Sequence, residues 1–183
     1  MKNSANNRFV LSGGPGAGKT TVLSSLEERG FHCLPDVARA IIRTRLDSGL
    51  PARPDPVEFA RAIFDGDVEN YRSAPSHRPC LFDRGVIDAL GMLRHSEILS
   101  DDELTLNLRQ YPYHKVVFVF PPWEEIYCTD NERDEDFAHS VRVYESVKTW
   151  YSRCGYEVQE IPPGPVSERA DIVERSVLLA STH

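Results

Sequence analysis

The residues with the clearest chemical meaning lie near the amino terminus, in segment 9–21. There the pattern G-x-x-x-x-G-K-[ST] is complete, from Gly13 through Gly18 and Lys19 to Thr20. An apolar stretch precedes the pattern and a helical stretch follows it, which is the context expected of a P-loop. Glycines let backbone N–H groups approach phosphate oxygens that a Cβ would obstruct, and the following helix adds its positive end. The segment therefore predicts a binding site for a nucleoside triphosphate.

Within this loop the roles of the side chains follow from their chemistry. We expect Lys19 to reach the β- and γ-phosphates and the Thr20 hydroxyl to ligate Mg²⁺. A dinucleotide-binding turn is excluded, because its third glycine would have to stand at position 19. The residues predicted to contact the nucleotide are Gly13, Gly14, Pro15, Gly16, Ala17, Gly18, Lys19, Thr20 and Thr21.

A second candidate group is Asp83-Arg84, which follows the apolar run 79–82. A carboxylate at the end of a strand beside the P-loop strand can hold Mg²⁺ directly or through water. The alternative is a strand-terminal Asp83 that caps the next helix. Arg84 stands where many ATPase motors have a water-activating Glu, so ATP hydrolysis is not the favoured chemistry. The guanidinium can instead hold an acceptor, or it can be an ordinary ion-paired arginine.

Asp36 follows the second predicted strand and so should lie in the same crevice at the carboxyl ends of the strands. Its carboxylate can accept the proton of an acceptor hydroxyl, or it can cap the helix that follows. Arg39 and Arg43 fall on the same helical face as Asp36. They either line an acceptor pocket or are solvated.

Segment 123–136 is polar and rich in acids, and it follows the fourth strand. We expect it to act as a lid that brings Arg133 to the transferred phosphoryl group, with a solvated charged loop as the alternative. Trp123 can stack on a planar acceptor or belong to the core. The loop 162–165, placed after the fifth strand, is a candidate border of an adenine ring.

Composition limits the class of protein. The chain has 183 residues and a formal charge of −7, which disfavours nucleic acid as the main partner. No run is long and apolar enough to predict a membrane span or a signal peptide, so we expect a cytoplasmic protein. The four cysteines are scattered and predict reduced thiols rather than a zinc site. Oligomeric state is not predicted.

Strand and helix patterns alternate along the chain, which predicts an α/β fold with a mainly parallel sheet in one domain, 1–183. Val37, Ala40 and Ile41 are expected on the buried face of the second helix. Phe137, Val141, Tyr144 and Tyr151 are expected on one face of a later helix. The predicted strands are 8–12, 31–34, 79–82, 115–120 and 156–161. The predicted helices are 18–29, one from 37 to before Gly49, 57–72, 86–98, one from 101 to 110, one ending near 154, and 166–179.

Several motifs together give a family resemblance over nearly the whole chain. The sequence resembles the predicted P-loop ATPases of the "AAA domain, 28" type, which are close to the nicotinamide riboside kinase part of NadR and to small nucleoside-kinase-like enzymes. The resemblance implies a three-layer, P-loop kinase-like fold with a five-stranded sheet of order 2-3-1-4-5. It also implies that Asp83 assists Mg²⁺ and that Arg133 sits in a lid. The family usually has Glu where this chain has the shorter Asp36. The motifs are 9–21, 34–39, 82–85, 121–127, 129–130 and 132–133.

These observations predict an ATP- and Mg²⁺-dependent kinase that acts on a small hydroxylated, nucleoside-like metabolite. Its catalytic residues are expected to be Lys19, Asp36, Arg84 and Arg133. The alternative is a regulatory ATPase or nucleotide-state switch that acts through a protein partner. The identity of the acceptor stays open, and so does the choice between ATP and GTP.

Overall fold

The computed structural model describes residues 6–127 and 136–181 of the chain. Strands and helices alternate in these two ranges, as the pattern predicts. The strands are β1 (Arg8–Gly13), β2 (His32–Leu34), β3 (Cys80–Asp83), β4 (Val116–Phe120) and β5 (Glu157–Glu160). The helices are α1 (Lys19–Glu28), α2 (Val37–Asp47), α3 (Pro56–Ser73), α4 (Val86–His95), α5 (Asp101–Gln110), α6 (Phe137–Arg153) and α7 (Val166–Ser181), and a short 3₁₀ helix spans Glu124–Ile126.

The five strands form one parallel sheet of order β2-β3-β1-β4-β5. This confirms the predicted fold class and strand order, and each predicted strand bound agrees within one residue. In the register, Leu11 of β1 lies opposite Asp83 on one side and opposite Phe118 on the other. The carboxyl ends of β1, β3 and β4 therefore meet at one edge of the sheet, where the candidate residues lie.

Two apolar cores cover the two faces of the sheet, because successive strand residues point to opposite sides. Phe9 and Leu11 pack with residues of α1 and α7. Val10 and Phe82 pack on the other face with residues of α3, α4 and α6. The central strands are thus apolar at nearly every position, which is why their sequence gives the clearest strand pattern.

Two predicted faces and one helix end differ from the structure. In α2 the buried residue is Ile42, whereas Ala40 is exposed. In α6 the buried positions include Ser140, and Val141 is exposed to solvent. Helix α4 ends at His95 rather than near position 98. Glu97 takes a left-handed φ of 57°, and the Ile98 N–H donates to the Leu93 carbonyl. A glycine usually marks such an ending.

No helix in the described part of the chain combines the length and the apolar character that a bilayer crossing requires.

Phe82 offers a test of the core around β3. Its ring is buried and lies edge-on to Tyr113, with ring centroids 5.2 Å apart. We expect Phe82→Ala to lower the free energy of unfolding by about 3–5 kcal/mol, because it leaves a cavity between the sheet and its helices. The exposed Leu106 of α5 is the control, and Leu106→Ala should change the free energy of unfolding by less than about 0.5 kcal/mol. Urea denaturation measures both, and equal effects would contradict this packing.

Candidate functional site

The segment between β1 and α1 has the backbone of a phosphate-binding loop. Gly13, Gly16 and Gly18 have φ values of 133°, 76° and 79°, a region that side chains with a Cβ rarely adopt. A Cβ on Gly13 would also overlap the backbone of Phe120. The pattern of glycines is therefore required by this conformation, and the loop lies where β1 meets the cleft.

Lys19 is the first residue of α1, and its side chain is buried. The Nζ atom donates to the carbonyl oxygen of Gly14 at 2.8 Å, so the ammonium lies across its own loop. Burial, and then the nearby Arg84 guanidinium, lower the pKa of Lys19 to about 8, while the carboxylates of Asp83 and Asp36 act in the opposite direction. The ammonium is poorly solvated here, so an anion on the loop would stabilise it.

Thr20 and Asp83 place two side-chain oxygen atoms beside the loop. The Thr20 Oγ1 atom donates to Asp83 Oδ2 at 2.9 Å. The other carboxylate oxygen, Oδ1, is buried and has no hydrogen-bond partner in the described structure. Burial raises the pKa of Asp83, and the Lys19 ammonium partly offsets this. An unsatisfied buried carboxylate oxygen next to a hydroxyl fits a hard cation such as Mg²⁺.

This pair does not amount to a metal site made of protein ligands alone. Within ranges 6–127 and 136–181, no three or more His, Cys, Asp or Glu side chains are grouped as metal ligands. Phosphate oxygens and water would have to complete the coordination, which is how Mg²⁺ is usually held beside phosphates.

Arg84 makes three polar contacts at the end of β3. Its Nη2 donates to the Gly13 carbonyl at 2.8 Å, and its Nη1 lies 3.4 Å from Asp88 Oδ1. Its Nε lies 3.8 Å from Asp36 Oδ2. Arg84 also has a left-handed φ of 68°, a conformation that costs on the order of 1 kcal/mol and that these contacts must offset. The side chain is ion-paired and also lines the cleft.

Asp36 is the N-cap of α2, because its Oδ1 accepts from the Arg39 N–H at 3.3 Å. The second oxygen, Oδ2, faces Arg84. One carboxylate oxygen thus holds the helix and the other remains on the cleft side. The two alternatives for Asp36, helix cap and site residue, are compatible in this geometry.

Asp88 was not singled out from the sequence, yet it joins three elements beneath the site. It accepts from the hydroxyl of Ser12, from the Tyr151 hydroxyl at 2.7 Å and from the Gly85 N–H at 3.0 Å. It also pairs with Arg84. The only local signal is an acidic residue in the first turn of α4, which is common and carries no functional meaning.

Two further side chains hold the phosphate loop from outside the motif. Ser140 of α6 donates its hydroxyl to the Pro15 carbonyl at 2.6 Å. Arg169 of α7 donates its Nη1 to the Ala17 carbonyl at 3.1 Å. Neither was predicted as a loop contact. A serine within the apolar face of a helix was the available signal for Ser140, whereas Arg169 had none.

These residues surround a cleft of about 1650 Å³. Many of its basic side chains come from elements outside the P-loop, although the chain carries a net charge of −7. Arg43 and Trp123 are not on the cleft wall, so the structure does not bring them to the site. Arg133 and most of the predicted lid lie outside the described residues. The arginines that line the cleft are Arg39, Arg53, Arg84, Arg94, Arg142, Arg153 and Arg169.

Comparison with known families decides the membership of this chain. Residues 8–169 match the model of a family described as an AAA domain. The chain belongs to this AAA domain family. No curated protein matches this sequence.

Solved structures show which fold this AAA domain protein has. A deoxyadenosine kinase from M. mycoides with bound dATP has 9% sequence identity and a TM-score of 0.62, over 93% of this chain and 98% of the kinase. The same kinase with the products dCMP and dCDP bound has 8% sequence identity and a TM-score of 0.63, over 94% of this chain and 99% of the kinase. A NadR protein in complex with NR gives 16% and 0.67, over 93% of this chain and 51% of NadR. The chain spans about half of that NadR chain. At these identities the similarity shows a common fold.

Ser140 provides a test of how this AAA domain protein holds its phosphate loop. Ser140→Ala removes the donor to Pro15 and should lower the free energy of unfolding by about 1–2 kcal/mol, because a part-buried carbonyl loses its partner. The control is Ser152→Ala on the same helix, where an exposed hydroxyl bonds to the Lys148 carbonyl. Thermal or urea unfolding compares the two. If Ser152→Ala costs as much as Ser140→Ala, the contact does not hold the loop.

Proposed function

We propose that this protein is an ATP- and Mg²⁺-dependent kinase that transfers a phosphoryl group to a hydroxyl of a small, nucleoside-like metabolite. One observation carries the proposal. A P-loop with a buried Lys19, an unsatisfied oxygen on Asp83, and an Asp36–Arg84 pair all face one cleft. The first two suit a triphosphate with its cation, and the third suits a hydroxylated acceptor.

On the donor side, the loop N–H groups and Lys19 would bind the phosphate chain and offset the charge that develops on its oxygens. Lys19 would exchange its contact with the Gly14 carbonyl for a phosphate oxygen. Thr20 and Asp83 would hold Mg²⁺, which would offset negative charge on the phosphate chain. The Thr20–Asp83 hydrogen bond already aligns the two ligands at 2.9 Å.

On the acceptor side, Asp36 would orient the hydroxyl and take its proton at Oδ2. The hydroxyl oxygen forms the new bond to the γ-phosphorus, the bond from that phosphorus to the β–γ bridging oxygen breaks, and ADP leaves. Arg84 forms an ion pair with the same carboxylate, because its Nε lies 3.8 Å from Oδ2. In addition, Arg84 donates to Gly13, so it connects the acceptor side with the phosphate loop.

The class of acceptor is supported by the solved structures of similar fold. Those structures are named as a deoxyadenosine kinase and as a NadR protein with bound NR. One fold can host several functions, so the fold alone does not select the acceptor, and the chemistry of the cleft has to agree with it. A carboxylate and a guanidinium at the base of the acceptor side are suited to a hydroxylated sugar.

The experiment is to measure ADP release from ATP and Mg²⁺, with and without pooled nucleosides, sugars and vitamins. We expect one pool to raise the rate more than tenfold, and Lys19→Ala to abolish that rise. Asp36→Asn should lower the stimulated rate by about 10²–10⁴, because it removes the proton acceptor. The exposed Asp47→Asn, at the other end of α2, is the matched control and should leave the rate unchanged. A low rate that no pool raises would contradict a kinase for those compounds and would favour the regulatory ATPase.

A further inference from the structure

The part of the cleft next to Asp36 has an apolar wall that the proposed mechanism does not use. Asp36 caps α2, and Ala38 and Ile42 of that helix both line the cleft. Met92 lines the cleft from α4, one turn beyond Asp88. Residues four apart share one face of a helix, so these apolar side chains begin directly beside the two carboxylates.

Helix α3 completes this wall. Phe59 and Ile63 line the cleft and pack with Ile42 and Ala89 in one buried cluster. Packing therefore holds these side chains in place. Met92 is 37% exposed, so its flexible thioether side chain is open to a ligand in the cleft. We call this surface the apolar wall, and its members are Ala38, Ile42, Phe59, Ile63 and Met92.

Side chains that could pair with the polar edge of a nucleobase are scarce beside the apolar wall. Within ranges 6–127 and 136–181, no Asn or Gln side chain lines the cleft. Arg39 is the one polar residue of helices α2 and α3 on the cleft wall, and Arg53 lines the cleft from the loop between them. Both arginines already have interaction partners. A ring with donors and acceptors on its edge would lose hydrogen bonds to water here and regain few.

We propose that the acceptor is a hydroxylated molecule whose second half is a hydrophobic ring, bound by the apolar wall. This rests on the proposed function, because it assumes that the reacting hydroxyl lies at Asp36. The hydroxyl end contacts Asp36 and Arg84, and the ring contacts Met92 and the side chains of α3. A sugar that carries a hydrophobic ring therefore fits better than a sugar that carries a nucleobase with polar edges.

Apolar subsites and hydrogen-bonding subsites discriminate between ligands in different ways. A subsite that pairs with polar groups rejects an analogue that lacks them by a factor of about 10⁴–10⁵, whereas a hydrophobic subsite gains about 10–200-fold per methylene. The affinity of this cleft for acceptors should therefore follow the apolar area of the ring, and not the pattern of donors and acceptors on its edge.

The test is calorimetric binding of three probes to protein that is saturated with ADP and Mg²⁺, which occupy the phosphate loop. The probes are ribose, uridine and 1-phenyl-β-D-ribofuranose, which carries a benzene ring in place of uracil. We expect the phenyl riboside to bind at least about tenfold more tightly than uridine, because only its ring is apolar at every edge. Uridine should bind within about threefold of ribose.

Met92→Gln tests the apolar wall itself. The substitution keeps the length of the side chain but places an amide on the wall, and the exposed position should tolerate it. We expect the variant to bind the phenyl riboside about fivefold more weakly and to bind ADP as wild type does. The control is Leu106→Gln, because this exposed leucine of α5 does not line the cleft. It should change neither affinity.

Two results would overturn this assignment of the acceptor. One is wild-type protein that binds uridine as tightly as the phenyl riboside, or that binds neither, and this decides the matter even if Met92→Gln does not fold. The other is a Met92→Gln protein that binds ADP and the phenyl riboside as wild type does. The titrations need no phosphoryl transfer, so the kinase activity of the proposed function is judged separately, by ADP release with the pooled compounds.

Discussion

The buried ammonium of Lys19 is the charge on which the arrangement of the cleft depends. A lysine held inside the protein loses hydration and must be compensated by carbonyl oxygens, by carboxylates or by a bound anion. Here the loop supplies the Gly14 carbonyl, and three carboxylates nearby raise the pKa that burial and Arg84 lower. These charges therefore form one electrostatic unit, made of the loop with Lys19 and the carboxylates of Asp36, Asp83 and Asp88. A bound phosphate would complete the compensation of the Lys19 charge.

Asp88 and Arg84 connect this electrostatic unit with the rest of the fold. Asp88 joins β1 through Ser12, the start of α4 through the Gly85 N–H, and α6 through the Tyr151 hydroxyl. Arg84 then connects Asp88 with Asp36 and with the Gly13 carbonyl. Both side chains are largely buried, so these hydrogen bonds and ion pairs are formed at low dielectric, where they are stronger than in water. The side of the cleft that holds Asp36 and Arg84 thus depends on contacts between elements that are distant in sequence.

Much of this could be predicted from the sequence where the signal is local. The strand order and the family resemblance were predicted and are confirmed, and the roles of the P-loop residues stay predictions. The local pattern was insufficient where tertiary contacts decide which side chains are buried and which reach the loop. Ala40 fits a helical stripe, but α2 turns Ile42 inward. Asp36 and Arg84 each had two alternatives, and the structure shows that each side chain makes the structural contact and also faces the cleft. Ser140 and Arg169 contact the loop across more than 100 residues, so no spacing rule could find them.

The most direct measurement for the central claim is proton uptake when ADP and Mg²⁺ bind. With the pKa of Lys19 at about 8 in the free protein, about three-quarters of it is neutral at pH 8.5 and about one-quarter at pH 7.5. A bound phosphate favours the ammonium and raises the pKa, so binding should take protons from the buffer. Titrations in two buffers of different ionisation enthalpy should give an uptake of about 0.7 proton at pH 8.5, falling to about a third of that at pH 7.5. Binding without proton uptake at pH 8.5, or with proton release, would contradict the claim that a bound phosphate stabilises the buried ammonium of Lys19.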